Sequence, residues 1–203
     1  MDLDAFILIG GRSSRMGVDK AFIEIAGEAL AARCANIVEK VLSPNRVTFV
    51  ARSESQFDSD HISALGGPVI ADLNPGFGAW SAIDASLKNA QSEWVFILAC
   101  DLPFISAGFL RLLAGFANGS NEAVVARQPD GRLQPLCAFY RTEPTLTNVK
   151  TLFSGQESLP ALHSIFDHLK TWIVEPEEYG QLPSAEKLFL NINTANDLAA
   201  ALS

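Results

Sequence analysis

Apolar residues along this chain come as short unbroken runs and as longer stripes, and the two patterns alternate. Residues 4–9 form a short apolar run closed by Gly10 and Gly11, which predicts a buried strand. Over residues 29–41 the apolar side chains Leu30, Cys34, Ile37, Val38 and Val41 share one helical stripe. Strands are predicted at 46–52 and 68–73, followed over 74–91 by glycines that lead into a helix with Trp80, Ile83 and Leu87 along one side. The run 93–105 is the strongest strand signal, and its continuous apolarity predicts cover on both faces, as in a parallel sheet.

Beyond it, Phe109, Leu110, Leu113 and Phe116 predict a helix over 106–116, and 122–127 reads as a strand. A turn at 130–132 leads to a strand over 133–141, whose Pro135 favours an edge or an irregularity. Residues 159–169 pattern as an amphipathic helix with Leu162, Ile165, Phe166 and Leu169 inward, and short strands are expected at 171–176 and 188–194. A terminal helix over 196–203 would take Thr194 as its cap. The alternation predicts an α/β fold with a mostly parallel sheet and right-handed crossovers. A chain of 203 residues can bury a core of its own, and one domain over 1–203 is the simplest expectation.

Charge narrows the range of partners. With 23 acidic against 15 basic residues, the net charge of -8 argues against a broad nucleic-acid or anionic-membrane surface. Any anion site must be local. Cys34, Cys100 and Cys137 are odd in number, far apart and free of zinc spacing, which points to unpaired thiols in a reducing compartment. The acidic N-terminal stretch lacks the basic start of a signal peptide, no apolar run reaches membrane-spanning length, and the expected location is the cytoplasm.

The basic residues that remain gain weight in this acidic background. Residues 7–22 read ILIGGRSSRMGVDKAF: a strand runs into paired glycines, then Ser13, Ser14, Arg15, Gly17, Asp19 and Lys20. Glycines there permit positive φ and let backbone amides approach an anion, the serines donate hydroxyls, and Arg15 and Lys20 reach phosphate oxygens. A polyphosphate is the ligand this chemistry suits. An ordinary strand-to-helix turn with solvated cations is the bland alternative. Neither GxxxxGK[ST] nor GxGxxG is present, so generic kinase, ATPase and dinucleotide readings lose support.

Asp101 supplies the complementary charge. It directly follows the strongest strand and precedes Leu102-Pro103, and open parallel sheets collect ligands beyond the carboxyl ends of their strands. A carboxylate there can hold Mg²⁺, which uses one or two protein carboxylates beside substrate phosphates, whereas its alternative role is to cap a turn. Cys100 should turn away from Asp101 into packing, and His61, His163 and His168 lack metal spacing.

With these residues in view, the chain resembles the molybdenum cofactor guanylyltransferases. LIGGRSSRMGVDKAF is similar to that family's LAGGxSxRMGxDK signature, IADLNPGFGAWSAI to its D…GPLAGI segment, and ACDLPFI to its metal-binding DMPF/DLPF segment. QPLCAFY and LNINTANDL follow in the same order as its (H)PLxALY and NxNTPEDL segments, so the likeness spans essentially the whole chain. The resemblance implies a three-layer, Rossmann-like nucleotidyltransferase fold with a twisted sheet, its N-terminal half holding nucleotide and its C-terminal half facing the acceptor. It implies that Leu8, Gly10, Gly11, Ser13 and Asp72 line the nucleotide and that Arg15 and Lys20 contact triphosphate. Asp101 would bind Mg²⁺, and Asn191 and Asn193 would face the acceptor.

Members transfer GMP from GTP to the terminal phosphate of Mo-molybdopterin and release pyrophosphate. The implied partners are therefore GTP, Mo-molybdopterin, and molybdenum cofactor insertion or molybdoenzyme maturation proteins. Ala79, Trp80, Ser81 and Ala82 depart from the usual Pro, Leu, Ala and Gly; Ile9, Gln134 and Ala195 replace Ala, His and Pro. CTP-using relatives carry AAG where this chain has IGG, which favours guanine. A cytidylyltransferase, another small-molecule nucleotidyltransferase and a noncatalytic nucleotide sensor are the competing readings.

Overall fold

In a computed structural model, described here for residues 1–10, 19–72, 76–153, 159–192 and 197, the alternating pattern becomes a layered α/β fold. The chain begins with β1 (Leu3–Leu8), whose side chains are all buried. A short hairpin, β2 (Glu24–Ile25) and β3 (Glu28–Ala29), turns through Ala26 and Gly27, both at positive φ, and leads into α1 (Leu30–Leu42). Then come β4 (Arg46–Ala51), α2 (Ser59–Leu65), β5 (Val69–Ala71), α3 (Ala79–Asn89) and β6 (Trp94–Ala99). The second half supplies α4 (Ala107–Phe116), β7 (Ala123–Arg127), β8 (Leu133–Arg141), α5 (Thr142–Phe153), β9 (Thr171–Val174) and α6 (Pro176–Tyr179).

The main sheet has seven strands in the order β5-β4-β1-β6-β8-β7-β9. Only β8 pairs antiparallel, with β6 and β7; the other four pairings in that sheet are parallel. Side chains along β1 and β6 alternate between two cores, as strand geometry requires. Ala5, Ile7, Phe96 and Leu98 face Cys34 and Val38 of α1 and Phe109 and Leu113 of α4. Phe6, Leu8, Val95 and Ile97 face Trp80 and Ile83 of α3, with Val149, Ile165 and Phe166. Three layers result, and their middle strands read as continuous apolar runs because both faces are covered.

Several boundaries and two type assignments differ from the sequence reading, which also lacks the helices α2 and α5. The 93–105 run yields a strand only as far as Ala99, because Leu102 N–H donates to Ala99 O at 3.2 Å and turns the chain out of the sheet. Pro135 does not mark an edge: β8 lies between β6 and β7. The β6 pairing stops at Cys137 and the register against β7 shifts between Val125 and Arg127, so proline falls at an irregularity where a missing N–H costs no regular ladder bond. The 159–169 helix is a 3-10 helix at Leu162–His168, with Ile165, Phe166 and Leu169 buried as expected.

Residues 188–192 form no strand. A 3-10 turn at Ala185–Lys187 precedes them, and Leu190 N–H and Ile192 N–H are used by Lys187 O and Asp101 O, both at 3.0 Å, rather than by a neighbouring strand. The expected continuation of that strand to 194, the Thr194 cap and nearly all of the terminal helix lie outside the described residues.

Candidate active site

The strand order creates a crevice. From β1 the chain moves outward through β4 to β5, then returns to the other side of β1 as β6; carboxyl ends of strands at such a reversal are where open α/β sheets hold ligands. A cleft of about 670 Å³ opens there, and Leu8, Gly10, Lys20, Asp72 and Asp101 all line it. Residues far apart in sequence thus meet because β1, β5 and β6 end at the same side of the sheet.

Gly10 serves close approach rather than an unusual dihedral angle. Its φ is not positive, but a Cβ at this position would stand 2.9 Å from Arg52 N and 3.2 Å from Arg52 Cα. The exits of β1 and β4 can lie side by side only without that carbon. Farther along, a 3-10 turn at Lys20–Phe22 takes Asp19 as its N-cap, whose Oδ1 accepts from Ala21 N–H at 3.1 Å. That turn brings Lys20 to the cleft.

Asp101 sits on a turn secured from two sides. From α1, Arg33 Nε donates to Pro103 O at 3.0 Å and Cys34 Sγ lies 3.8 Å from Cys100 O; from the C-terminal segment, Ile192 N–H donates to Asp101 O. Ile192 is buried with Ile23, Ile25 and Leu30 in a small apolar cluster, which couples the chain after Lys20 to the chain before Asn193. Burial raises the Asp101 carboxyl above its ordinary pKa, and the nearby Lys20 ammonium offsets part of that rise. The two groups therefore sense each other's charge across the cleft. Among the described residues no cluster of three or more His, Cys, Asp or Glu could hold a metal ion. Asp101, a partly desolvated carboxylate facing the cleft, would suit Mg²⁺, which takes its other ligands from substrate phosphates and water, but would not make a closed protein cage.

Asp72, just past β5, accepts a hydrogen bond from the fully buried Ser81 hydroxyl on α3. Ser81 is one of the residues that depart from the family pattern, and its effect is to orient a cleft carboxylate. Its neighbours divide between wall and core: Ala79 and Ala82 line the cleft, whereas Trp80 is buried and donates from Nε1 to Pro160 O at 2.9 Å. Gly76 and Gly78, both at positive φ, form the lip before this helix.

Asn191 is exposed and does not line the cleft, although Ile192 places it beside the Asp101 turn. Gly11, Ser13, Arg15 and Asn193, together with Ser14, Met16 and Gly17, lie outside the described residues. Cys100 is buried in the core and its thiol is pushed well above the ordinary pKa by desolvation, although the residue also borders the cleft beside Asp101. Among polar side chains, Arg52 on the cleft wall and the Ser81 hydroxyl behind Asp72 escaped the sequence reading. Arg52 could have been suspected from its place just after a strand; no local pattern pairs Ser81 with Asp72.

Comparison with known proteins places this geometry. The sequence profile of the MobA-like NTP transferase domain matches residues 5–170. A probable molybdenum cofactor guanylyltransferase of Trichormus variabilis is 33% identical over 98% of this chain and 89% of its own length. One from Peptoclostridium acidaminophilum is 30% identical, covering 96% and 86%. Among solved structures, molybdopterin-guanine dinucleotide biosynthesis protein A from Archaeoglobus fulgidus superposes with a TM-score of 0.74 at 24% identity, covering 98% of this chain and 96% of that one. No helix among the described residues is long and apolar enough to cross a membrane. With its profile match across most of the sequence and relatives alike over nearly all of it, the chain belongs to the MobA-like NTP transferase family, the family of the molybdenum cofactor guanylyltransferases.

Proposed function

We propose that this nucleotidyltransferase transfers GMP from GTP to the terminal phosphate of Mo-molybdopterin and releases pyrophosphate. The observation that carries the reading is the convergence of Lys20, Asp72 and Asp101 on one cleft at the strand reversal. The names of the relatives supply the substrates, and the IGG sequence ahead of the loop favours guanine over cytosine.

An oxygen of the acceptor phosphate attacks the α-phosphorus of GTP in line. The bond from that phosphorus to the α–β bridging oxygen breaks, and pyrophosphate leaves with the bonding electrons. Both reactants are anions, so repulsion is the main barrier and positioned positive charge the main remedy. Lys20 neutralises the triphosphate and the departing pyrophosphate. Asp72, oriented by Ser81, accepts hydrogen bonds from the nucleoside. Asp101 would hold Mg²⁺, which would supply charge neutralisation at the phosphates. We place Leu8, Gly10, Gly11, Ser13 and Arg15 on the nucleotide side and Asn191 and Asn193 on the acceptor side. The acceptor side is also where cofactor insertion or molybdoenzyme maturation proteins would approach.

Pyrophosphate release measured with GTP, CTP, ATP and UTP, each with Mg²⁺ and molybdopterin-type acceptor, tests the reaction. Release confined to GTP supports it. A preference for CTP would move the enzyme to the cytidylyl branch, and binding without release from any nucleotide would make it a sensor.

A further inference from the structure

Between β4 and α2, the side chain of Gln56 reaches three separate parts of the site. Its Nε2 donates to Ile9 O at 3.0 Å and to Asp19 Oδ2 at 2.9 Å, while its Oε1 accepts from Arg52 N–H at 2.6 Å. Ile9 is the last residue before Gly10 at the exit of β1; Asp19 is the cap directly before Lys20; Arg52 is the backbone that Gly10 must approach. Both ends of the glycine-rich segment are thus held to β4 by one amide.

Only an amide matches this set. Two acceptors, a carbonyl and a carboxylate, face the NH₂ group, and one backbone donor faces the oxygen. Glutamate would set a second anion against Asp19 and an acceptor against Ile9 O, and an apolar residue would leave all three unmatched. We infer that Gln56 is a positioning residue that fixes Lys20 in the cleft by clasping Asp19 and Ile9 to the end of β4.

The inference rests on the proposed role of Lys20 at the triphosphate, and it makes Gln56 a determinant of phosphate-chain length rather than of base choice. Nucleoside monophosphate engages the site without the β and γ phosphates, so loosening Lys20 should weaken GTP far more than GMP. Packing between the segments does not depend on the amide, because the Phe22 and Phe57 rings meet edge to face at 5.2 Å. The fold should therefore survive substitution at Gln56.

Isothermal titration of GTP and GMP, with Mg²⁺, into wild-type protein, Gln56→Ala and Gln56→Glu provides the test, beside residue-level hydrogen exchange of the nucleotide-free proteins. Loss of the clasp bonds should raise the GTP dissociation constant about tenfold or more and leave that of GMP within about twofold. Amide exchange at Ala21 should accelerate in both variants, and at Arg52 in Gln56→Ala, which alone removes its acceptor. Adding Asp19→Asn to Gln56→Glu restores a donor–acceptor match between positions 19 and 56 and should recover part of the lost GTP affinity. Unchanged GTP affinity in both single variants, or equal loss of GTP and GMP, overturns the inference. If wild-type protein binds no nucleoside triphosphate, the proposed function falls and exchange alone decides the clasp: faster exchange at Ala21 upholds it, and unchanged exchange removes it.

Discussion

At the scale of single residues, the proposed reaction gives Lys20 and Asp101 opposite obligations toward the same ligand. Asp101 is held partly out of water, so its carboxyl titrates above the ordinary value despite the neighbouring ammonium of Lys20. A carboxyl whose folded pKa is raised weighs nothing on stability below its unfolded pKa and costs stability once pH has risen through the folded value. Without nucleotide or metal, Asp101→Asn should therefore melt at a higher temperature than wild type near neutral pH, and the gap should close as pH falls through the carboxylate range. Thermal melts across pH check this; a lower melting temperature for Asp101→Asn at every pH would show that the carboxylate stabilises the fold instead. The same substitution should nearly abolish pyrophosphate release. Lys20→Ala should cost about a hundredfold in kcat/KM, the scale of a charged contact strengthened in the transition state; a loss within a few-fold would take Lys20 out of the reaction.

At the scale of elements, strand exits set the site. Gly10 is needed because the backbone of Arg52 leaves no room for a Cβ at 2.9 Å, so Gly10→Ala should push the ends of β1 and β4 apart. We expect a loss of about 1–3 kcal/mol in unfolding free energy, as for overpacking, together with weaker GTP binding. Chemical denaturation with matched titration measures both, and wild-type stability would mean the strand ends yield freely. The paired glycines were legible in the sequence, but the reason for Gly10 was not, since the carbon it avoids would meet a residue in another strand. The same limit governs Ser81 and Asp72, and Gln56 with Ile9 and Asp19: hydrogen bonds between elements leave no local periodicity. Pro135 signalled an edge or an irregularity because a proline excludes a ladder bond, and the fold met that constraint in the second way, with a register shift inside the sheet.

At the scale of the whole molecule, the two central strands could be recognised because burial on both faces removes polar positions from Phe6–Leu8 and Val95–Leu98. The reversed direction of β8 could not, because an apolar run has no polarity of its own. In this acidic chain Lys20 and Arg52 set positive charge at the cleft, so anion binding there should favour polyphosphates and should weaken with salt only as far as that cleft is exposed. The proposed reaction requires one cleft to join Lys20, Asp72 and Asp101 around the triphosphate of GTP. Single-turnover pyrophosphate release from GTP with Mg²⁺ and molybdopterin-type acceptor, in wild type and in Lys20→Ala, tests it most directly. Release by wild type that falls about a hundredfold in the variant is the result this site predicts; equal release by both proteins, or none from GTP by wild type, would contradict it.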